Sequence, residues 1–456
     1  MANNLRICVI GTGYVGLVGA AVFADWGNEV VGVDIDEKKI KKIESGEMPI
    51  FEPGLKELVL ENIKVGRLTF TTKLKEGMRD AEIVFICVGT PQGDSGQADL
   101  SYVLGVAEEI GKNLKKDKYT VVVTKSTVPV RTNERVKEVV AANAPEGAEF
   151  AVVSNPEFLR EGYSIEDMKN TDRTVIGAQT ERARKVMRKL YGHLDSPIVE
   201  TDLRSAEMIK YASNAFLATK ISFINEIGQL CEKAGANVQE VSRGMGLDKR
   251  IGSRFLTAGI GYGGSCFPKD VAALSRTSLD FAYDFSLVRG VMRVNDLQKH
   301  TFTSKIYQEF GGEALGGKTF AVLGLAFKEN TDDIRESVAI KIIHLLRGRG
   351  ASLRVFDPEA IENSKKYLGD VGIYYAKDAY DAMKDADALL ILTEWKEFRD
   401  LDLTKIKKLL KTPIIFDGRN LLDQQAVESA GFKYHAVGKR TNAYHDTEIK
   451  SALLPK

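Results

Sequence analysis

Short apolar runs closed by glycine or an acidic residue alternate with helix-period stretches through the first third of the chain. Leu5–Ile10 is a largely apolar run, the pattern of a strand buried on both faces. Gly11-Thr-Gly-Tyr-Val-Gly16 follows at once, and an Ala/Val-rich stretch from Leu17 to about Trp26 predicts a helix. Val30–Val33 predicts a second strand, ended by Asp34. Glu82–Val88, Tyr119–Thr124 and Phe150–Ser154 continue the alternation, which implies a mainly parallel, doubly wound sheet. The loops that follow, Gly89–Pro91, Lys125–Pro129 and Asn155–Glu157, are polar. Ligands of such sheets bind beyond the carboxyl ends of the strands, so these loops are expected to converge on one site.

From about Asp202 to Ala234 the period becomes helical throughout. Met208, Ile209, Ala212, Phe216, Ile221, Phe223, Ile224, Ile227 and Leu230 recur at helical spacing, with no proline and only Gly228 to weaken the stretch. Such a helix would run roughly 50 Å at about 1.5 Å per residue. That is longer than one small domain covers, and it predicts a spine between domains and a dimer contact. After Gly316 the pattern starts again. Lys318–Gly324 echoes the first strand, Ser352–Asp357 echoes the second with its terminal acid, and Ala388–Leu392 and Pro413–Asp417 add later strands. The expected fold class is α/β, with two Rossmann-like doubly wound domains joined by a long central helix and a helical dimerisation region. The boundaries fall near 1–200, 201–300 and 301–456. The second Rossmann-like domain lacks the full glycine fingerprint and suits a different nucleotide. The segment after Tyr434 carries no functional signal and is expected to be mobile.

Composition narrows the classes. With 64 basic against 63 acidic residues the formal net charge is +1, so bulk charge favours neither nucleic acid nor a membrane surface. No apolar run approaches the ~20 residues that span a bilayer. Met1–Arg6 shows no charged-then-apolar leader, and a cytoplasmic location is expected. The four cysteines, Cys8, Cys87, Cys231 and Cys266, are too far apart in sequence for a zinc pair or redox motif. The first three sit in apolar or helical patterns and read as small buried hydrophobes. The five histidines, at 193, 300, 344, 435 and 445, lie outside every motif, so neither a histidine base nor a metal site is expected.

Two patterns carry chemistry. Gly11–Gly16 lies between a strand and a helix, with Asp34 about 20 residues on; together these predict dinucleotide binding. The glycines let the backbone approach a pyrophosphate at a helix N-terminus. Asp34 would hold the ribose hydroxyls and repel a 2′-phosphate, so NAD is preferred over NADP. At the other pattern, Gly261-Tyr-Gly-Gly-Ser-Cys-Phe-Pro-Lys-Asp270, a glycine-rich loop delivers Cys266 to a helix start, with Pro268 suited to the first helical position. The helix terminus and Lys269 both favour the thiolate. A redox cofactor with an activated thiol suggests oxidation through a thiohemiacetal and a thioester. Glu157 and Glu161 are spaced for one face of a helical turn, as are Lys210 and Asn214 on the long helix. On spacing alone, the two glutamates more often mark a solvated helix start, and Lys210 a surface position.

With these motifs, and with Asn155-Pro-Glu-Phe-Leu-Arg-Glu161, Lys210-Tyr-Ala-Ser-Asn214 and Ala326-Phe-Lys328, the chain resembles the nucleotide-sugar 6-dehydrogenases over nearly its full length. The resemblance implies a four-electron, NAD-dependent oxidation of a sugar C6 alcohol to a carboxylate. Arg250–Leu256 leading into Gly259–Gly263 looks most like the UDP-glucose branch, which forms UDP-glucuronate; a sister acting on GDP-mannose or a UDP-N-acetylhexosamine is the alternative. The resemblance makes Cys266 the nucleophile, Glu157 the base for the hydrolytic water, Lys210 and Asn214 donors to oxyanions at C6, and Thr127 and Asp270 positioners of a water. For NAD it adds Thr12, Tyr14, Val15, Lys39, Thr90, Thr127, Glu161, Lys269 and Arg335 to Gly11, Gly13, Gly16 and Asp34. For the sugar nucleotide it adds Phe158, Leu159, Arg160, Glu161, Arg250, Tyr262, Gly263, Lys328 and Arg419. It also implies a homodimer in which Arg250 reaches the partner's site.

Overall fold

The computed structural model describes residues 4–93 and 96–439. Two compact units divide it, one of residues 1–214 and 272–284, the other of 215–271 and 285–456.

The first unit is built on an eight-stranded sheet. Its strands are β1 (Arg6–Ile10), β2 (Glu29–Val33), β3 (Leu68–Thr71), β4 (Ile83–Ile86), β5 (Thr120–Thr124), β6 (Phe150–Ser154), β7 (Thr174–Ala178) and β8 (Ile198–Thr201). They lie in the order β3-β2-β1-β4-β5-β6-β7-β8. All pairs are parallel except β6 with β7. Leu17, Phe23, Phe85 and Val123 pack in the apolar layer on one face, and Val84, Ile110, Val122 and Val136 in that on the other. Burial on both faces is why these strands read as continuous apolar runs.

The second unit carries six parallel strands, β9 (Thr319–Leu323), β10 (Ser352–Phe356), β11 (Ile373–Tyr375), β12 (Ala388–Ile391), β13 (Ile414–Asp417) and β14 (Lys433–Ala436). Their order, β11-β10-β9-β12-β13-β14, matches that of β3 to β6 in the first unit. The expected half-repeat is therefore present, down to a shared turn. Gly11 and Gly324 both take positive φ, +95° and +98°. Gly11 N–H donates to Val33 O at 2.7 Å and Gly324 N–H to Phe356 O at 2.9 Å. In each unit the acid that ends the second strand accepts a backbone N–H from the first loop: Asp34 from Thr12 at 2.9 Å, Asp357 from Leu325 at 2.7 Å.

Leu203–Ala234 is one unbroken helix of 32 residues. Within the second unit, Gly228 passes close to the chain at Gly438, which a larger side chain would block. No helix among the described residues is long and apolar enough to cross a membrane. The expectation of a featureless tail after Tyr434 is corrected in part, because Tyr434 to Ala436 complete β14 and Val437 and Lys439 are buried. Residues 440–456, including His445, lie outside the described residues.

Candidate active site

In the first unit the glycine loop follows β1, and its helix runs Tyr14–Asp25, beginning three residues earlier than the sequence pattern suggests. Gly13 caps this helix without a side-chain hydrogen bond, and the first turn holds no acid, so the N–H groups and the positive end of the dipole face outward unmasked. A Cβ on Gly11 would stand 2.8 Å from Cys87 O, and one on Gly16 would stand 1.8 Å from Gly11 O. At Gly13 a Cβ would meet nothing within 4 Å, which leaves the loop's outer face open to a pyrophosphate. These features fit a dinucleotide. Asp34 Oδ2 accepts from Thr12 N, Thr12 Oγ1 and Lys39 Nζ at 2.8–2.9 Å, while Oδ1 accepts from Asp36 N at 3.1 Å. Burial works to raise the carboxyl's pKa. The bonds from Lys39, Thr12 and Asp36 outweigh it and hold Asp34 below the usual carboxylate range. Asp34 thus braces the turn and holds a negative charge at the end of β2. Thr90, after β4, donates to Thr127 O after β5 at 3.0 Å, so two of the expected cofactor contacts share one junction.

Glu157 and Glu161 are both buried, but residues 155–160 form a loop rather than a helical turn. The helical premise is corrected: Pro156 opens the segment, and Glu157 Oε2 folds back to accept from Leu159 N at 2.6 Å. The loop is pinned at its far end, where Gly162 N–H donates to both Tyr14 Oη and buried Glu52 Oε2 at 2.7 Å. Glu157 Oε1 pairs with Lys210 Nζ at 2.9 Å, and both side chains are almost fully buried. Lys210 is therefore no surface lysine, and Asn214, one turn along the helix, is buried too. Burial is again the largest single influence on Glu157 and raises its pKa. Lys210, the Leu159 N–H and Lys125 together reverse it, so Glu157 titrates below the usual range. Phe158 lies under the guanidinium of Arg173, 3.5 Å from the ring centroid, and Leu159 is half-buried. Arg160 is exposed and pairs with Asp167 at 2.6 Å.

In the second unit Cys266 is the half-buried residue that caps the helix Phe267–Asp280. Its carbonyl accepts the first helical bond from Asp270 N at 2.8 Å. Pro268 is the second helical residue rather than the first. The Ser265 hydroxyl lies 3.6 Å from Cys266 Sγ. Lys269 Nζ pairs with buried Asp270 at 2.6 Å. The unopposed charge expected at Lys269 is corrected accordingly: Asp270 offsets it, and the positive end of the helix remains beside Cys266. The loop before the cysteine is built to close tolerance. A Cβ on Gly263 would stand 2.3 Å from Glu336 O, and one on Gly264 would stand 2.6 Å from the Phe327 ring. Asn295 accepts from Tyr262 N at 2.8 Å and donates to Tyr262 O at 3.0 Å, and Gln298 donates to Gly259 O at 2.7 Å. Arg419 reaches Leu392 O, Gly261 O and Phe327 O at 2.8–3.3 Å, tying this loop to those after β9 and β12. Tyr262 is buried, and Lys328 stands beside the Phe327 ring, 5.8 Å from its centroid. Gly264 N–H donates to Arg335 O at 3.1 Å, while the exposed Arg335 guanidinium pairs with Asp333 at 2.6 Å. Arg250 stands out in solvent, its side chain 89% exposed and paired only locally with Asp248.

Sequence reasoning did not single out Lys125, Glu52, Tyr191, Asn295 or Gln298. Lys125 carried a signal, a lysine directly after a fully buried, β-branched strand, Thr120–Thr124. Asn295 and Gln298 carried none, because a polar residue inside a helical pattern reads as solvent-facing.

Comparisons with known proteins give the family. Residues 5–195, 204–297 and 321–424 match, in turn, the NAD binding, central and UDP binding domains of the UDP-glucose/GDP-mannose dehydrogenase family. The chain is 51% identical to UDP-glucose 6-dehydrogenase of Rhizobium meliloti, covering 95% of this chain and 100% of the relative. It is 48% identical to UDP-glucose 6-dehydrogenase TuaD of Bacillus subtilis, covering 99% and 96%. The solved UDP-glucose dehydrogenase of Pyrobaculum islandicum superposes with a TM-score of 0.89 at 38% identity, covering 96% of this chain and 98% of that one. With a cofactor loop, a buried Lys210–Glu157 pair and a helix-capping cysteine on one such chain, it belongs to the UDP-glucose/GDP-mannose dehydrogenase family.

Proposed function

We propose that this chain oxidises UDP-glucose to UDP-glucuronate, with two NAD and one water consumed per turnover. The observation that carries the reading is Cys266 at the cap of its helix, since an enzyme stopping at a two-electron oxidation has no use for the thiol. Gly11–Gly16 and Asp34 would hold NAD, which would supply the hydride acceptor for each of the two oxidations. The first step yields the C6 aldehyde as the alcohol proton leaves through a water held by Thr127 and Asp270. Cys266 adds to the aldehyde as thiolate, and its thiohemiacetal loses the second hydride to leave a thioester. Lys210 and Asn214 donate to the C6 oxygen where negative charge develops. Glu157 takes a proton from the water that cleaves the thioester, which frees the Cys266 thiol and the carboxylate. Glu161, Phe158, Leu159, Arg160, Tyr262, Gly263, Lys328 and Arg419 line the path of the sugar nucleotide, with cations for its diphosphate. Thr90, Lys39, Lys269 and Arg335 complete the cofactor's surroundings.

The same reading makes residues 1–200 the NAD domain, 201–300 the dimerisation region and 301–456 the nucleotide-sugar domain. Dimerisation is supported by Phe216, Phe223 and Leu230, which stand 65%, 47% and 61% exposed at seven-residue steps along one helix. Arg250, exposed and paired with nearby Asp248, is proposed to reach the partner's site. A cytoplasmic location suits a mechanism that needs a reduced thiol.

Steady-state assays with UDP-glucose, GDP-mannose and UDP-N-acetylglucosamine in parallel test the substrate. Activity with UDP-glucose alone is the expected result. Activity confined to either of the others would overturn the substrate assignment and leave the chemistry in place.

A further inference from the structure

The proposed reaction asks two things of Lys210 at once. It must neutralise Glu157, to which it is paired at 2.9 Å, and it must donate to a developing oxyanion. A buried carboxylate stripped of the lysine it pairs with would be strongly destabilised unless another cation stood near it. Lys125 is that cation. It follows β5 directly, and its side chain is 5% exposed. Its Nζ donates to Asn155 Oδ1 at 3.2 Å, and that oxygen also accepts from Tyr191 Oη at 2.7 Å. Asn155 in turn donates to Val175 O at 2.8 Å, and its N–H bonds Thr124 O at 3.0 Å. Lys125 thus grips the residue that begins the Asn155-Pro156-Glu157 turn. Lys125 and Glu157 also line one small cavity of about 40 Å³.

We propose that Lys125 is a positioning residue: through Asn155 it fixes the turn that carries Glu157, and it supplies the second positive charge that lets Lys210 turn to the reacting oxygen. The inference rests on the reading of Glu157 as the hydrolytic base. The other groups around the pair are Lys210 on the long helix, Cys87 after β4, Tyr191 on the helix Glu181–Tyr191, and Asp167 and Arg173 on the cavity wall. Burial pushes the Cys87 thiol up to about 12, so Cys87 adds no negative charge at neutral pH. Lys125 itself is pushed down, chiefly by burial, with the like charge of Lys210 adding to the fall and Glu157 opposing it. In this proposal it is a cation held against burial by its polar partners and by Glu157.

The test is rapid-quench measurement of thioester hydrolysis after pH jumps, in the wild type, K125Q, K125R and E157Q. K125Q keeps a donor for Asn155 and removes the charge. The expected result in K125Q is slower hydrolysis by about tenfold and an acidic limb raised by about one pH unit. NAD affinity should be unchanged, K125R should restore the limb, and K125Q should add nothing in an E157Q background. An unmoved limb in K125Q, with E157Q still slow, would overturn the role of Lys125 alone. Wild-type hydrolysis by E157Q would overturn the base assignment, and this proposal with it. Should K125Q not fold, K125R carries the test, since a guanidinium that keeps the charge must also keep the limb, and a shifted limb would contradict the proposal.

Discussion

Single residues carry the chemistry, and their surroundings decide which of them act. Of the four free cysteines, Cys8, Cys87 and Cys231 are buried and only Cys266 is half-open at a helix cap. The C266S variant should lose about a thousandfold or more in overall oxidation while binding NAD normally, as rapid kinetics and cofactor fluorescence would show. Near-normal turnover would remove the covalent route. Asp34 is expected to matter twice. D34A should weaken NAD by about tenfold or more and narrow the preference over NADP, and it should also lower Tm, because the same carboxylate braces Thr12. The pH behaviour follows from depressed carboxyls. The folded-state pKa values of Asp34 and Glu157 both lie below their unfolded ones, so the stability each contributes is fully present above the unfolded carboxylate value. It is lost as pH falls through the folded values. Thermal melts should therefore be flat near neutrality and fall below about pH 4.5, with E157Q less sensitive than wild type over that fall. At this scale the sequence revealed identities better than environments. Cys266 stood out by its glycine-rich loop and Glu157 and Lys210 were named through the resemblance, but the pairing of Lys269 with Asp270 and of Lys210 with Glu157 depends on side-chain directions that spacing does not encode.

Among the elements, periodicity was legible for most uniformly buried strands, with β7 the exception. The buried strands β1, β4, β5, β6, β9 and β12 and the long helix could be read directly. The strands that went unread are the marginal ones. β11 has three residues, β3 and β8 carry polar or exposed positions at the sheet edges, β14 reads Lys-Tyr-His-Ala, and β7 reverses direction against β6. The Glu157–Glu161 spacing suggested a helix because four-residue intervals cannot distinguish a helical turn from a loop that happens to bury both ends. Close glycine contacts give element-scale predictions. G16A places a Cβ 1.8 Å from Gly11 O, so it should abolish NAD binding or the fold of the first unit, as titration and melting would distinguish. On the long helix, F223E puts a charge in the exposed apolar stripe. It should shift the sedimentation coefficient from dimer to monomer; an unchanged dimer would mean that another surface mediates assembly.

For the molecule as a whole, two sheets of the same strand order put two strand-end ligand crevices on one chain, one with a full glycine fingerprint and one without. The second crevice keeps the turn at Gly324 but commits its acid to backbone: Asp357 accepts from Leu325, Ala326, Glu359 and Ala360 and from Trp395. That difference explains why the half-repeat was visible in sequence while its ligand was legible only through resemblance. The central claim is that one chain couples two hydride transfers through a thioester on Cys266. The most direct measurement is NADH formed per UDP-glucose consumed, with UDP-glucose limiting. The account predicts two NADH for each UDP-glucose, with UDP-glucuronate as the product. One NADH, with free aldehyde accumulating, would contradict it.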